Sequence, residues 1–136
     1  MRELREWFLI MLYLHKIAVP KDKGGSPAFY AKLLLDWDRF PAHFPDENRI
    51  CAEVLTLYRA SKAGTDTLRR VDSAFKKDRP ALVTKKNAPG NRKIFILTDE
   101  GMLISERLAG GLSEACQSTM IATIGADRFR KRKAVR

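Results

Sequence analysis

The apolar residues near the N-terminus lie too close together for a helix with a single buried stripe. Residues 3–18 are predicted to form a helix, and its apolar side chains are Trp7, Phe8, Leu9, Ile10, Met11, Leu12, Leu14 and Ile17. These positions surround most of the circumference, so the helix needs cover on several sides. Either the rest of the chain or a second copy of it can supply that cover. A polar turn is predicted over residues 19–25.

Two further helices are predicted after this turn. Ser26-Pro27 combines a capping residue with a proline at the first helical position, which predicts a helix over residues 27–37. Residues 38–45 contain two prolines and are predicted to be a connector. Asp46 can cap a helix over residues 47–61, because its carboxylate accepts from amides that lack a partner in the first turn.

A tight turn and another helix come next. Ala63-Gly64 provides the turn, since glycine accepts the positive φ that commonly ends a helix. Thr65 or Asp66 caps the following helix, which runs to Lys77 before Pro80 prevents its continuation. The predicted buried face of this helix consists of Leu68, Val71 and Phe75.

Two short strands are predicted after this helix. Residues 82–86 and 92–97 flank a cluster of turn-forming residues at 87–91. The result is a helix-turn-helix followed by a basic hairpin, or wing. Thr98 then predicts the cap of a helix that reaches Ala109, with two acidic residues in its first turn, where negative charge suits the helix dipole.

The order of these parts resembles the winged helix-turn-helix regulators of the MarR type. In that family a recognition helix is followed by a wing containing an arginine and then by a helix that starts with Leu-Thr-x-x-Gly. The matching residues here are Leu97-Thr98-Asp99-Glu100-Gly101 and the basic wing residues Arg92 and Lys93. The wing departs from the family pattern, because Asn87, Pro89 and Asn91 fill the region where an acidic residue usually precedes the arginine. The resemblance implies a mainly α fold with a small β-hairpin wing, flanked by N- and C-terminal dimerisation helices.

The C-terminal part of the chain predicts a last helix after a break at Gly110-Gly111. Its apolar stripe consists of Leu112, Cys116, Met120 and Ile124. We assign residues 1–125 to one winged helix-turn-helix domain with flanking helices. Residues 126–136 form a basic tail that is expected to be mobile when unbound. The apolar first and last helices, together with the resemblance, predict a homodimer, which would suit a two-fold operator.

Positive charge is concentrated in two parts of the chain, and this changes the functional interpretation. The formal net charge is +10. Residues 59–93 hold 11 basic and 3 acidic side chains, and residues 126–136 hold 6 and 1, whereas residues 1–58 hold 8 of each. Such clustering favours a polyanionic partner, because each phosphate neutralised by lysine or arginine releases counterions. A solvated basic surface without a partner is the alternative. Nucleic acid is favoured over it because the basic cluster coincides with a helix-turn-helix pattern.

Catalytic and metal-binding patterns are missing from the sequence. Cys51 and Cys116 are too few for a disulfide scaffold or a four-ligand zinc site, and buried, inert thiols are the preferred interpretation. His15 and His43 lie far apart without a neighbouring ligand pattern, so a structural or exposed role is preferred for both. We therefore expect no enzyme and no cofactor. The chain has neither a membrane-spanning apolar run nor a basic signal peptide, so we expect a cytoplasmic protein.

These patterns predict a transcriptional regulator that binds double-stranded DNA as a homodimer. The recognition helix covers about residues 65–77 and the wing about residues 82–97. The predicted DNA-binding residues are Thr65, Asp66, Thr67, Arg69, Arg70, Ser73, Lys76, Lys77, Lys85, Lys86, Arg92 and Lys93. A basic RNA-binding protein and a winged-helix scaffold for an acidic protein partner remain as alternatives. The resemblance also leaves a small-molecule effector open, with Trp7, Phe29, Tyr30 and Trp37 lining its pocket, although an ordinary core role is the preferred interpretation of these aromatics.

Overall fold

A computed structural model describes residues 4–22, 24–25, 72–88 and 92–134 of the chain. The fold of these residues is mainly helical, with a small two-stranded antiparallel hairpin. The elements are α1 (Leu4–Ala18), a helical segment over residues 72–76, β1 (Val83–Ala88), β2 (Arg92–Leu97), α2 (Asp99–Gly110) and α3 (Glu114–Ala134). The helices predicted over residues 27–37 and 47–61, the connector at 38–45 and the turn at Ala63-Gly64 lie outside the described residues.

Helix α1 is the centre of the core. Phe8, Leu9, Ile10, Met11 and Leu14 have no exposed surface, and Trp7 and Leu12 are almost completely buried. The helix packs against α2, α3 and β2. Each large apolar side chain buried in this way contributes roughly 1.5–3 kcal/mol. The prediction of a helix covered on several sides is confirmed, and a single chain supplies the cover.

A short junction fastens the hairpin to the start of α2. The Thr98 amide donates to the Leu82 carbonyl at 3.0 Å, and the Thr98 hydroxyl donates to the Ala81 carbonyl at 2.6 Å. The same hydroxyl accepts from the Gly101 amide at 3.1 Å, which confirms Thr98 as the N-cap. Gly101 lies directly against the Leu82 carbonyl, and a β-carbon at this position would overlap it. The Leu-Thr-x-x-Gly motif therefore closes the base of the hairpin onto α2.

The hairpin is longer than predicted, and a third segment extends its sheet. Asn87 and Ala88 lie in β1 opposite Lys93 and Arg92, so the predicted turn at 87–91 is wrong for its first two residues. On the other side of β2, Gly25 exchanges two backbone hydrogen bonds with Phe95, of 3.1 and 2.9 Å. The prediction of a simple polar turn over residues 19–25 missed this pairing, because it depends on a strand 70 residues away.

The buried face of α2 is made of small residues at four-residue spacing, Gly101, Ser105 and Ala109. Small side chains allow α1 and the base of β1 to approach the α2 backbone closely. The Ser105 side chain is fully buried, and its hydroxyl has no hydrogen-bond partner among the described residues. A buried hydroxyl without a partner is a cost to folding.

Helices α2 and α3 meet at the predicted glycine break. The Gly111 amide donates to the Leu108 carbonyl, which ends α2 at Gly110, one residue beyond the predicted end. The Ser113 hydroxyl accepts from the Cys116 amide at 3.1 Å and so caps α3. The Gln117 amide group donates to the carbonyls of Ala109 and Leu112, at 2.8 and 3.1 Å. These side chains satisfy backbone groups that the two helix ends leave without helical partners.

Helix α3 carries the predicted apolar stripe but does not stop after it. Leu112, Cys116, Met120 and Ile124 are all buried, which confirms the stripe. The backbone then remains helical through Gly125 to Ala134, so the last helix extends into the segment that the sequence assigned to a basic tail. A single glycine costs only about 1 kcal/mol in a helix interior, and the alanine, arginine and lysine residues after it are good helix formers.

Apart from Ile17, the apolar residues of α1 and α3 that suggested a dimer are buried within one chain. The large hydrophobic side chains that remain exposed in the described part of the chain are Ile17, Leu103 and Ile104. None of the helices in the described part of the chain has the length and apolar character needed to cross a membrane.

Two glycine substitutions test the helical continuation of α3. A β-carbon at Gly125 would meet no other atom within 4 Å, so Gly125→Ala is expected to stabilise the protein by about 1 kcal/mol through helix propensity. Gly101→Ala is the matched control, because its β-carbon overlaps the Leu82 carbonyl and is expected to destabilise by about 1–3 kcal/mol. Urea unfolding followed by far-ultraviolet circular dichroism measures both. A Gly125→Ala variant that is less stable than the wild type would contradict a continuous α3.

Two serine substitutions test opposite roles of a hydroxyl. Ser105→Ala is expected to stabilise the protein by about 1 kcal/mol, because it removes a buried hydroxyl without a partner. Ser113→Ala is expected to destabilise it by about 1 kcal/mol, because the cap of α3 is lost. Thermal unfolding of the two variants beside the wild type gives the signs directly. A loss of stability in Ser105→Ala would show that its hydroxyl has a partner in solution.

Candidate nucleic-acid interface

An aromatic contact joins the helical segment 72–76 to the hairpin. The rings of Phe75 and Phe95 meet edge to face, with centroids 5.4 Å apart and planes at 80°. Both side chains are buried, which confirms Phe75 as an inward residue of the predicted recognition helix. Edge-to-face pairs of this kind contribute about 0.5–1.5 kcal/mol beyond the area that they bury. The contact fixes the end of the helix against one face of the hairpin.

The strand register places Lys85 beside this aromatic contact. Lys85 lies directly opposite Phe95, so the two side chains share one face of the hairpin. Because Phe95 uses both backbone groups to bond Gly25, Lys85 and Phe95 form the pair without mutual hydrogen bonds, in which opposite side chains lie closest. Asp72 lies three residues before Phe75, on a neighbouring part of the same helical surface. The aromatic contact therefore brings Asp72 and Lys85 together.

Asp72 is held by two lysines from two different elements. The Lys85 ammonium lies 2.9 Å from Oδ1 and 3.0 Å from Oδ2 of the Asp72 carboxylate. The Lys76 ammonium, one helical turn after Asp72, lies 3.5 Å from Oδ2. The cluster is at the surface, with side-chain exposures of 27% for Asp72, 38% for Lys85 and 72% for Lys76. We refer to these three residues as the Asp72 cluster.

The two lysines lower the pKa of Asp72. Partial burial is the largest single influence and raises the pKa, but the hydrogen bond and charge of Lys85, with the charge of Lys76, outweigh it. The folded state therefore favours the charged carboxylate more than the unfolded chain does. This contribution to stability is present above the ordinary pKa of 3.8 and is lost as the pH falls through the lowered value.

The adjacent lysines of β1 do not share a surface. Side chains alternate along a strand, so Lys86 lies on the opposite face of the hairpin from Lys85, across from Ile94. Lys86 is exposed and forms no ion pair within the described residues. The sequence predicted both lysines as one set of DNA contacts, whereas the structure separates them. Lys85 faces the helix and is held by Asp72, and Lys86 faces away from it.

The end of the helical segment is closed by Arg79, which is not among the predicted site residues. The Arg79 guanidinium donates to the carbonyls of Lys76 and Asp78, at 2.7 and 2.8 Å. A cation at this position also interacts favourably with the negative end of the helix dipole. Asp78 accepts from Arg5 of α1 at 3.0 Å, and this pair ties the helix end to the central helix. The helix thus ends at residue 76, before Pro80 is reached.

The structure brings together about half of the predicted site. Ser73, Lys76 and Lys77 are exposed at the end of the helix, and Lys85 and Lys86 are exposed on β1. The backbones of Arg92 and Lys93 lie at the start of β2, opposite Ala88 and Asn87, while their side chains are outside the described part. The remaining predicted residues, which also lie outside it, are Thr65, Asp66, Thr67, Arg69 and Arg70. Asp72 is not among the predicted residues, because its only local signal is its four-residue spacing from Lys76.

The histidine and cysteine that the structure describes have structural positions. His15 is buried and lies 2.9 Å from the Asp22 carboxylate, across the turn that leads to the Gly25 bridge. Cys116 is buried in the stripe of α3, as predicted, while Cys51 and His43 lie outside the described residues. Within the described ranges, no group of three or more histidine, cysteine or acidic side chains could hold a metal ion.

Comparisons with known proteins add no relative. No protein-family profile, no curated protein and no solved structure matches the chain.

Substitution of the two adjacent lysines tests the geometry of the Asp72 cluster. Lys85→Met is expected to raise the pKa of Asp72, because the main influence that opposes burial is removed. Lys86→Met is the matched control, since this side chain lies on the other face of the hairpin and should leave the pKa unchanged. Titration of the Asp72 carboxyl carbon by NMR measures both.

The same substitution has a pH-dependent effect on stability. Lys85→Met is expected to cost at most about 1 kcal/mol near neutral pH, as is usual for exposed ion pairs. The difference from the wild type should vanish below the lowered pKa of Asp72, where the carboxyl group is neutral. Equal effects of the two substitutions on the titration would mean that Lys85 does not hold Asp72.

Proposed function

We propose that the protein is a DNA-binding transcriptional regulator of the winged helix-turn-helix, MarR-like kind. The observation that carries the proposal is the arrangement of lysines where a helix end meets a two-stranded hairpin. Lys76 and Lys77 come from the helix end, and Lys85 comes from the hairpin face that meets it, while Lys86 adds positive charge on the other face of the hairpin. Exposed lysines on both elements suit a polyanion with repeated phosphates, because each neutralised phosphate releases counterions.

The order of the described elements supports a winged helix. A central helix is followed by the short Gly25 pairing with β2, then by the end of a helix, a hairpin and another helix. The junction at Thr98 and Gly101 gives the Leu-Thr-x-x-Gly resemblance a physical basis, since it sets the hairpin against α2. In this proposal the hairpin is the wing and residues 65–77 form the recognition helix.

The proposed division of labour follows from the residue types. Arg69 and Arg70 are the proposed base-reading residues, because an arginine that donates two hydrogen bonds to guanine discriminates by about 1–3 kcal/mol. Lysines at the helix end and on β1, with Arg92 and Lys93 of the wing, contact phosphates, which position the protein without reading sequence. The six basic residues of 126–136 add affinity of the same kind, and most of them lie on the helical continuation of α3.

A homodimer remains part of the proposal, but its contacts are now assigned to α2 instead of the apolar residues of α1 and α3. The stripes on α1 and α3 are already covered within one chain. Leu103 and Ile104 of α2 are 63% and 38% exposed and are apolar side chains that a second copy would cover. Two copies would present two recognition helices to a two-fold operator in the cytoplasm. The proposal requires no cofactor and no catalytic residue.

An RNA-binding protein is the second candidate. The basic C-terminal segment favours it, because its backbone is helical to Ala134 and a basic helix can bind the grooves or phosphates of structured RNA. The described residues expose no cluster of aromatic side chains of the kind that stacks on single-stranded bases. A scaffold that binds an acidic protein is the third candidate.

Competition binding with the full-length protein separates these functions. We expect duplex DNA selected from a random pool to bind at least about 1,000-fold more tightly than unselected duplex, as is typical of specific regulators. Structured RNA and heparin should compete only as unselected polyanions do. Lys86→Gln is expected to weaken selected and unselected duplexes by the same factor, since a phosphate contact carries no sequence information.

The outcomes differ for each candidate. Heparin that competes as well as any selected duplex would remove the case for a specific regulator. Preferential competition by structured RNA would favour the second candidate. A change of the selected sequence in Lys86→Gln would show that the hairpin reads bases.

A further inference from the structure

Two ammonium groups from different elements converge on one carboxylate within the proposed interface. Lys85 of β1 lies within 3.0 Å of both Asp72 oxygens, and Lys76 of the helical segment lies 3.5 Å from one of them. A carboxylate and a phosphodiester each carry a single negative charge and accept hydrogen bonds through two outward oxygens. The Asp72 carboxylate therefore occupies the position of an anion bound between the helix end and the hairpin.

We propose that Asp72 is an internal substitute for a nucleic-acid phosphate, which competes with the backbone for Lys76 and Lys85. The inference rests on the proposed function and deepens it. In the free protein the carboxylate neutralises part of the basic surface. On binding, a backbone phosphate takes its place between the two lysines.

The Asp72 cluster is suited to such an exchange because it is exposed and is held in position by other contacts. Exposed ion pairs contribute little to stability, so replacing one anion by another costs little. The Phe75 and Phe95 rings, rather than the ion pair, hold the helix end against the hairpin. Lys76 and Lys85 thus stay on facing elements when Asp72 is neutralised, and they form a preorganised anion site.

The exchange would act on affinity and not on sequence choice. A phosphate contact is the same at every base pair, so competition by Asp72 weakens all duplexes by a similar factor. Asp72 would therefore lower the time that the protein spends on any DNA while it leaves the preference between sequences unchanged.

The first test uses duplex DNA and the full-length Asp72→Asn variant. We expect about a 2- to 10-fold gain in affinity at low salt for selected and unselected duplexes alike, the size expected when one or two exposed ion pairs no longer compete. The gain should shrink as salt is added, because the new phosphate contacts are screened. Glu106→Gln changes the net charge equally at an exposed position of α2 and should give a smaller gain. In Asp72→Asn with Lys85→Gln, most of the gain should disappear.

The second test does not require nucleic acid. Inorganic phosphate is titrated into the free proteins, and the NMR signals of residues 76 and 85 are followed. We expect Asp72→Asn to respond at a phosphate concentration at least about threefold lower than the wild type, since the competing carboxylate is gone. Asp72→Ser serves as a second neutral variant, and circular dichroism verifies that each protein is folded.

The outcomes distinguish the inference from the function on which it rests. If Asp72→Asn binds duplex more weakly and phosphate no better than the wild type, Asp72 is a structural clamp and the inference is wrong. If neither protein binds duplex but Asp72→Asn gains phosphate affinity, the anion site stands and the proposed function fails. A gain of equal size in Glu106→Gln would reduce the effect to net charge and would also overturn the inference.

Discussion

The structure depends on the need to enclose α1 on nearly every side. A helix with six consecutive buried residues, Trp7 to Leu12, cannot lie on a surface, because each side of it would expose apolar area to water. Helices α2 and α3 and strand β2 all pack on it. The two helices cover α1 in different ways. The small buried residues of α2 allow close approach, whereas the larger side chains of the α3 stripe fill space.

The hairpin is positioned by this core even though its basic residues face solvent. Phe95 links three parts of the molecule, because its ring packs on Phe75 while its backbone bonds Gly25. The junction at Thr98 and Gly101 sets the other end of β2 against α2. These contacts fasten the base of the hairpin to the rest of the fold and set the position of Lys85 beside the helix end.

Charge in the proposed interface is less uniform than the net charge suggests. The structure describes five exposed residues of the predicted site, and two of them, Lys76 and Lys85, are paired with Asp72. The guanidinium of Arg79 donates to backbone carbonyls. Lys77 and Lys86 have no such partner within the described residues. The basic surface is thus divided into lysines that are free for an external anion and lysines that an internal anion already occupies.

Much of the local structure could be predicted from the sequence because its causes lie within a few residues. The extent of α1, the cap at Thr98, the break at Gly110-Gly111 and the stripe of α3 each depend on neighbours along the helix, and the structure contains all of them. The basic composition of the hairpin is equally local. The end of β1 is not a local feature, since whether the strand stops at Lys86 or at Ala88 depends on which residues of β2 pair with it.

Tertiary structure decided the features that join distant parts of the chain. The pairing of Gly25 with Phe95, the crowding of Gly101 against Leu82 and the choice of Lys85 rather than Lys86 as partner for Asp72 follow from strand register and from packing between elements. No pattern in the sequence indicates these three contacts. A one-residue change in register would exchange the two faces of the hairpin and bring Lys86 to the helix instead. Within the described residues, the sequence by itself determined α1, the capped start of α2 and the stripe of α3, and strand register with packing between elements determined which charges meet.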